Sequence, residues 1–216
     1  MKNRTFDLIV YGATSFVGQI LTRYLFEHIG VGGKVNWAIA GRSEKKLAVL
    51  KSSLGSNAGS LSVIVADASD EVALTTMCQS ARVIVSTVGP YALYGEPLVK
   101  ACAENGTDYC DLCGEAYWIK AMILKYSEAA KASGARLVSC CGFDSIPSDL
   151  GVHFLQSQGK QRFGKYFDNV KHLNTQHNSN LNISDKELKE LKKYLLKVDS
   201  TSLKSSSLNI DSSWTQ

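Results

Sequence analysis

The sequence predicts an α/β fold, a doubly wound parallel sheet of about six strands, followed by a polar tail that carries one helix. Three observations predict it. Short β-branched runs alternate with amphipathic segments as far as about residue 155. A glycine-spaced loop follows the first of those runs directly and opens the first helical pattern. The segments between runs are also long enough for crossover helices, which parallel strands require.

The strand pattern falls at 8–11, 35–40, 61–66, 82–87, 107–112 and 136–140. Each run is short, apolar and bounded by Gly, Asp or Ser, the pattern of strands buried on both faces. Phe16, Val17, Ile20, Leu21, Tyr24 and Leu25 repeat at helical spacing after Ser15. Ser43 is the natural start of a second helix that ends by Gly55, a glycine suited to a C-cap. Helical patterns follow at 70–79, 94–105 and 115–133, and Pro97 sits in a first turn, where a missing N–H costs least.

Domain organisation divides near residue 157. Residues 1–157 carry the alternating pattern, and 158–216 form a polar, low-complexity tail. The stretch 174–182 holds Asn, His, Ser and Thr with almost nothing to bury, and 201–216 is rich in serine. Such segments cannot offset chain entropy, so disorder or loose packing is expected there. Between them Ser184 and Glu187 form a capping box ahead of Leu188, Leu191, Leu195 and Val198, predicting a helix near 184–198.

Bulk properties exclude several classes. With 216 residues, 44% hydrophobic and 20% charged, the chain has ordinary globular composition. A formal charge of +4, with the basic residues spread out, argues against nucleic acid as a partner. No apolar run approaches the roughly 20 residues of a spanning helix. Residues 1–4 lead into a strand rather than a secretion signal, so a cytosolic, reducing compartment is the expectation. The six cysteines fit it, since Cys140 and Cys141 are neighbours and unsuited to a disulfide framework.

Four motifs point to chemistry. In the run Gly12-Ala13-Thr14-Ser15-Phe16-Val17-Gly18, Gly12 permits the tight turn and Gly18 lets the helix pack close to the sheet. The helix N-terminus then offers amides and a positive dipole end to a pyrophosphate. Ser15 stands where many such loops carry a middle glycine, and its hydroxyl can cap the helix or donate to phosphate. The second motif, Arg42 with Ser43, ends the second strand where an NAD-binding fold places a carboxylate for the ribose 2′-hydroxyl. A guanidinium suits a 2′-phosphate, so NADP(H) is favoured over NAD(H); the alternative is a surface arginine on a carbonyl.

Asp67 ends the third strand near the expected adenine, or simply caps a turn. The run Ser86-Thr87-Val88-Gly89-Pro90-Tyr91 follows the fourth strand at the topological switch point, where ligands bind. Tyr91 and Tyr94 are placed to face a nicotinamide, or to serve as packing residues. Other chemistries fail on spacing. None of the nine tyrosines is followed four residues on by lysine, so a short-chain dehydrogenase mechanism is excluded. Gln19 after Gly18 rules out a P-loop. Cys110 and Cys113 lack a second CxxC or a histidine pair, so no metal is expected and buried thiols are favoured. Cys140 and Cys141 lack an activating histidine in sequence reach, which leaves a nucleophile there a minor option.

Three further runs carry a family resemblance. Gly89-Pro90-Tyr91-Ala92-Leu93-Tyr94-Gly95-Glu96-Pro97, Asp111-Leu112-Cys113-Gly114-Glu115 and Gly142-Phe143-Asp144-Ser145-Ile146-Pro147-Ser148-Asp149-Leu150-Gly151 resemble the saccharopine dehydrogenase-like oxidoreductases, which include trans-acting enoyl reductases. The resemblance covers about residues 6–155. It implies a Rossmann domain with a dinucleotide held by Gly12, Ser15, Phe16, Val17, Gly18, Arg42 and Ser43 and lined by Gly89 and Pro90. It also implies Glu115 and the 144–149 segment at a junction with a large second domain that builds the substrate pocket.

After about Leu155 the residues no longer resemble that second domain. Two expectations therefore stand: an NADP-dependent oxidoreductase that reduces a C=C or C=N bond, and a truncated, non-catalytic NADP(H)-binding module acting as a sensor or interaction protein. Tyr94, Glu115 and Asp144 are catalytic candidates by position alone. A small-molecule or lipid-like substrate fits the resemblance. Homo-oligomerisation and peripheral lipid association stay open.

Overall fold

The computed structural model describes residues 4–170, so the expected tail helix near 184–198 and the polar stretches around it lie outside the described residues. The chain divides into two compact units, Met1–Ile146 and Pro147–Gln216.

The first unit is a six-stranded, all-parallel sheet of order β3-β2-β1-β4-β5-β6. Its strands are β1 (Phe6–Tyr11), β2 (Trp37–Gly41), β3 (Ser62–Val65), β4 (Ala81–Ser86), β5 (Asp108–Asp111) and β6 (Leu137–Val138). This is the Rossmann order, with the reversal between β1 and β4. Strand identity followed from sequence. β6 is shorter than its apolar run, because Ser139 to Cys141 leave the ladder to bond the end of β5.

The crossover helices are α1 (Phe16–His28), α2 (Glu44–Ser53), α3 (Glu71–Ser80), α4 (Tyr91–Tyr94), α5 (Glu96–Asn105) and α6 (Ala116–Ser133). Ser15 caps α1, Ser43 caps α2 and Asp70 caps α3, each through its side-chain oxygen. The single helix expected at 94–105 is in fact two, a short α4 and then α5 with Pro97 in its first turn. Gly55 is not the C-cap of α2. Leu54 takes that place, and Gly55, at φ +96°, opens a 3-10 turn over Ser56–Ala58.

Alternation along the central strands sorts the core onto two faces. Ile9, Tyr11, Ala38 and Ala40 meet Leu74, Met77, Leu98 and Cys102 on one side. Val10 and Ile39 meet Leu25, Leu47 and Leu61 on the other. Nearly every one of these side chains is fully buried, as a sheet covered on both faces requires. Arg4 ties an outer corner together, donating to the carbonyls of Cys78 and Asn105, both at 2.6 Å.

The apolar repeat of α1 is only half used by the sheet. Gly18, Thr22 and Leu25 are buried, whereas Phe16, Ile20 and Tyr24 are exposed. The two rows lie on opposite sides of the helix, so periodicity alone could not say which one packs. In the second unit, α7 (Ile146–Phe163) runs past Gly159, where the sequence pattern weakens. Two features local to that unit hold its end. The Gln156 amide pairs with both backbone groups of Phe167 at 2.9 and 2.8 Å, and the Phe167 ring lies so close over Gly159 that a Cβ there would meet it at 2.8 Å.

Candidate functional site

The C-terminal ends of β1 and β4 flank the point where strand order reverses, and the glycine loop emerges there. Gly12 has φ +82°, and a Cβ on it would lie 2.6 Å from Val88 Cγ2 and 2.9 Å from Thr87 Oγ1. Only glycine meets both demands. Gly18 is tighter still, since its Cβ would meet the Gly12 carbonyl oxygen at 2.2 Å. The two glycines press the loop against β4 and α1 against the loop.

The amides at this turn divide into used and free. Gly12 and Ala13 N–H donate to the Ala40 carbonyl, Ser15 N–H to the Gly12 carbonyl, and Gly18 N–H to Ser15 Oγ at 3.0 Å. Phe16 and Val17 open α1, so their N–H groups have no partner within the helix, and both residues are exposed. Two free amides at the positive end of a 13-residue helix suit an anion held against the loop. Thr14 is half-buried beside them, its carbonyl accepting from the Gln19 side chain.

Arg42 and Ser43 follow β2 at the same edge of the sheet. Arg42 is exposed and makes no hydrogen bond or ion pair among the described residues, so the reading of it as a carbonyl cap does not describe it. Ser43 Oγ caps α2 through the Lys46 amide. Asp67 Oδ1 accepts from the Ser69 hydroxyl at 2.7 Å and the Ser69 amide at 2.9 Å. Those bonds, with help from the Arg42 charge, hold its carboxyl below the usual carboxylate range. Asp67 thus closes its own turn while sitting within electrostatic reach of Arg42.

The β4 loop is laid out differently from the sequence expectation. Gly89 and Pro90 are exposed and joined by a cis peptide bond, with Val88 half-buried behind them. Tyr91 is turned inward. Its hydroxyl donates to the Ser86 carbonyl at 3.0 Å, its ring packs on Trp118 at 5.6 Å, and burial pushes the phenol well up. Its packing role is therefore visible, and Tyr94 is the exposed tyrosine of the pair.

Glu115 is likewise engaged. Its two carboxylate oxygens accept from the amides of Tyr91 and Ala92, each at 2.9 Å, so it caps α4 across a sequence gap of more than twenty residues. Asp144 is exposed. Sequence reasoning missed two groups. Thr87, at the end of β4, bonds the glycine loop. Asp111, 2% exposed, accepts from Tyr109 Oη, Cys113 N and Cys140 N at 2.7, 3.0 and 3.2 Å. Both stand in runs the sequence singles out, Thr87 at the switch point and Asp111 at the head of Asp111-Leu112-Cys113-Gly114-Glu115, but their partners are distant in sequence.

Elsewhere the chemistry is quiet. Burial pushes the Cys110 and Cys113 thiols up to about 11, so both stay protonated near neutral pH. Among the described residues no group of three or more His, Cys, Asp or Glu is placed to hold a metal, and no helix is long and apolar enough to cross a membrane. A cavity of about 350 Å³ lies beneath α6, lined by Tyr109, Trp118, Met122 and Leu137. It shares no residue with the glycine loop or with Arg42 and Ser43.

Comparison with known proteins agrees with this geometry. The family described as the saccharopine dehydrogenase NADP-binding domain matches residues 8–138. A Caenorhabditis elegans protein named "Lipid droplet localized protein" is 46% identical over 155 residues, 70% of this chain and 36% of its own length. A Mycobacterium bovis protein named "Trans-acting enoyl reductase" is 46% identical over 152 residues, again 70% and 36%. The chain thus spans little more than a third of these relatives. The saccharopine dehydrogenase (L-Glu forming) of Saccharomyces cerevisiae superposes at TM-score 0.49 and 18% identity, over 69% of this chain and 32% of that one. With its glycine loop at the switch point and the family match running from β1 to β6, the chain belongs to the saccharopine dehydrogenase NADP-binding domain family.

Proposed function

We propose that this chain binds NADP(H) in preference to NAD(H), as the cofactor domain of an oxidoreductase that reduces a C=C or C=N bond. The observation that carries the preference is Arg42, exposed and unpaired among the described residues, at the strand end where a carboxylate would otherwise hold a ribose 2′-hydroxyl. Ser43 stands beside it and Asp67 faces the adenine side. The amides of Phe16 and Val17, with Gly12, Thr14, Ser15 and Gly18 shaping the turn, hold the pyrophosphate. Val88, Gly89, Pro90 and the Tyr91 backbone line the nicotinamide side. Bound reduced nicotinamide supplies the hydride, and the protein supplies orientation. The enoyl-reductase and lipid-droplet names of relatives favour an acyl or other lipid-like substrate.

A second reading is binding without turnover by this chain alone. It is favoured by the state of the candidate acids: Glu115 is committed to two amides, and Tyr91 to a carbonyl. Calorimetric titration with NADPH and NADH tests the common core. NADPH is expected to bind about tenfold or more tightly than NADH, a difference of about 1.4 kcal/mol, and equal affinities would remove the preference. Acceptor-dependent loss of NADPH with an enoyl thioester would decide for turnover; binding with no loss would decide for the second reading.

A further inference from the structure

Ser15 occupies the position where many dinucleotide loops place a glycine to let the backbone approach the pyrophosphate. Any side chain there must go somewhere other than the phosphate space. The hydrogen bonds around it show where it goes. Ser15 Oγ accepts from Gly18 N–H and donates to Thr87 Oγ1, both at 3.0 Å. Thr87 Oγ1 in turn donates to the Gly12 carbonyl at 2.9 Å, with the Tyr11 carbonyl 3.2 Å away.

A hydroxyl has one proton and two lone pairs, and both hydroxyls can be satisfied in one chain that runs from Ser15 through Thr87 to the backbone. Two backbone carbonyls lie within reach of the Thr87 proton, at 2.9 and 3.2 Å, so it goes to them and a lone pair is left to accept from Ser15. The Ser15 proton is therefore spent on Thr87, and one lone pair is spent on Gly18. Thr87 is 6% exposed, and its amide is fixed to the Tyr11 carbonyl at 2.9 Å, so it is a rigid acceptor rather than a wandering one.

We propose that Thr87 is a positioning residue that holds the Ser15 side chain against β4, away from the pyrophosphate, so that a non-glycine loop keeps a glycine-like approach. The inference rests on the dinucleotide reading of the loop. Ser15 is then a cap and not a phosphate donor, and the contacts to phosphate fall to the Phe16 and Val17 amides. Losing the Thr87 hydroxyl leaves the Gly18 amide as the remaining tether on Ser15, which can then turn toward the phosphate space, while Thr87→Val nearly keeps the packing volume of the site.

The test titrates NADPH and NADH into wild type, Ser15→Gly, Thr87→Ser, Thr87→Val and the Ser15→Gly/Thr87→Val double variant, with thermal unfolding of each to confirm folding. Thr87→Val is expected to weaken both nucleotides about tenfold with their ratio unchanged, since the 2′-phosphate contact is elsewhere. Thr87→Ser is expected to stay within about twofold of wild type, because it keeps the acceptor. Ser15→Gly alone, which gives up the α1 cap, is expected to lose less affinity than Thr87→Val, glycine being nearly as good a cap. The double variant is expected to recover most of what Thr87→Val loses, which a purely structural role for Thr87 would not produce.

Unchanged binding by Thr87→Val, or no recovery in the double variant, overturns the proposal. Should Thr87→Val fail to fold, Ser15→Gly still decides: a tenfold loss would make the serine hydroxyl a phosphate donor and overturn it. Wild type binding neither nucleotide would instead remove the dinucleotide reading, and this inference with it.

Discussion

The ends of β1 and β2 and the end of β5 lie on one edge of one parallel sheet, yet they spend their polar groups in opposite ways. At β1 and β2 the loop leaves two amides and a guanidinium uncommitted. At β5 the carboxylate is engaged within the fold. Asp111 gathers the Tyr109 hydroxyl with the amides of Cys113 and Cys140, and its carbonyl accepts from Cys141 N–H at 2.7 Å. Those bonds hold Cys140 at φ +61°, a left-handed backbone that a cysteine adopts only under constraint. On the proposed reading the first end receives the ligand, while the groups around Asp111 at the other are satisfied within the fold.

The contrast can be broken by substitution at either end. Gly18→Val is expected to have the largest effect, because its Cβ would overlap the Gly12 carbonyl; overpacking of this kind costs about 3 kcal/mol. Dinucleotide binding should vanish with it, as calorimetry and chemical unfolding would show. Asp111→Ala should cost nearly as much, about 2 to 3 kcal/mol, because it strands buried donors. Affinity for NADPH should then stay within about twofold, and a large loss of affinity would make Asp111 part of the site.

Glu115→Gln sharpens the distinction on a smaller scale. An amide offers one acceptor oxygen where the carboxylate offers two, so one of the Tyr91 and Ala92 amides loses its partner. A loss of about 1 kcal/mol in thermal unfolding is expected. Loss of turnover with stability and NADPH binding intact would instead give Glu115 a catalytic role.

Acid exposes the smallest difference. The Arg136 side chain and amide hold the Asp108 carboxyl below its ordinary value. A lowered folded-state pKa adds stability above the unfolded value, near about pH 4. That contribution is lost as pH falls through the folded value. Urea unfolding at successive acidic pH values should show a slope that Asp108→Asn reduces; an unchanged slope would mean the pair contributes nothing to acid stability.

Much of this architecture was legible because it is written locally. The Gly12 and Gly18 spacing, the β-branched runs and the Ser15, Ser43 and Asp70 caps each depend on a few adjacent residues, and the sheet order follows from them. What escaped depends on distant partners. The roles of Thr87, Glu115 and Asp111 are set by contacts 72, 24 and 29 residues away. The split at Tyr94 and Gly95 was hidden too: Gly95 is small because the Trp118 ring lies over it, where a Cβ would meet Cζ2 at 2.6 Å. Likewise, the side of α1 that packs carries Gly18 and Thr22 beside Leu25, while Phe16, Ile20 and Tyr24 stay exposed, so the apolar repeat did not mark the packed face.

The central claim is that unspent donors at the first two strand ends define an NADP(H) site, and Arg42→Ala tests it most directly. Arg42 is exposed and unpaired among the described residues, so the variant should unfold at the same temperature as wild type. Calorimetry should show NADPH affinity falling by about tenfold or more while NADH affinity holds, which closes the gap between the two nucleotides. Equal loss for both nucleotides, or no loss for either, would contradict the account.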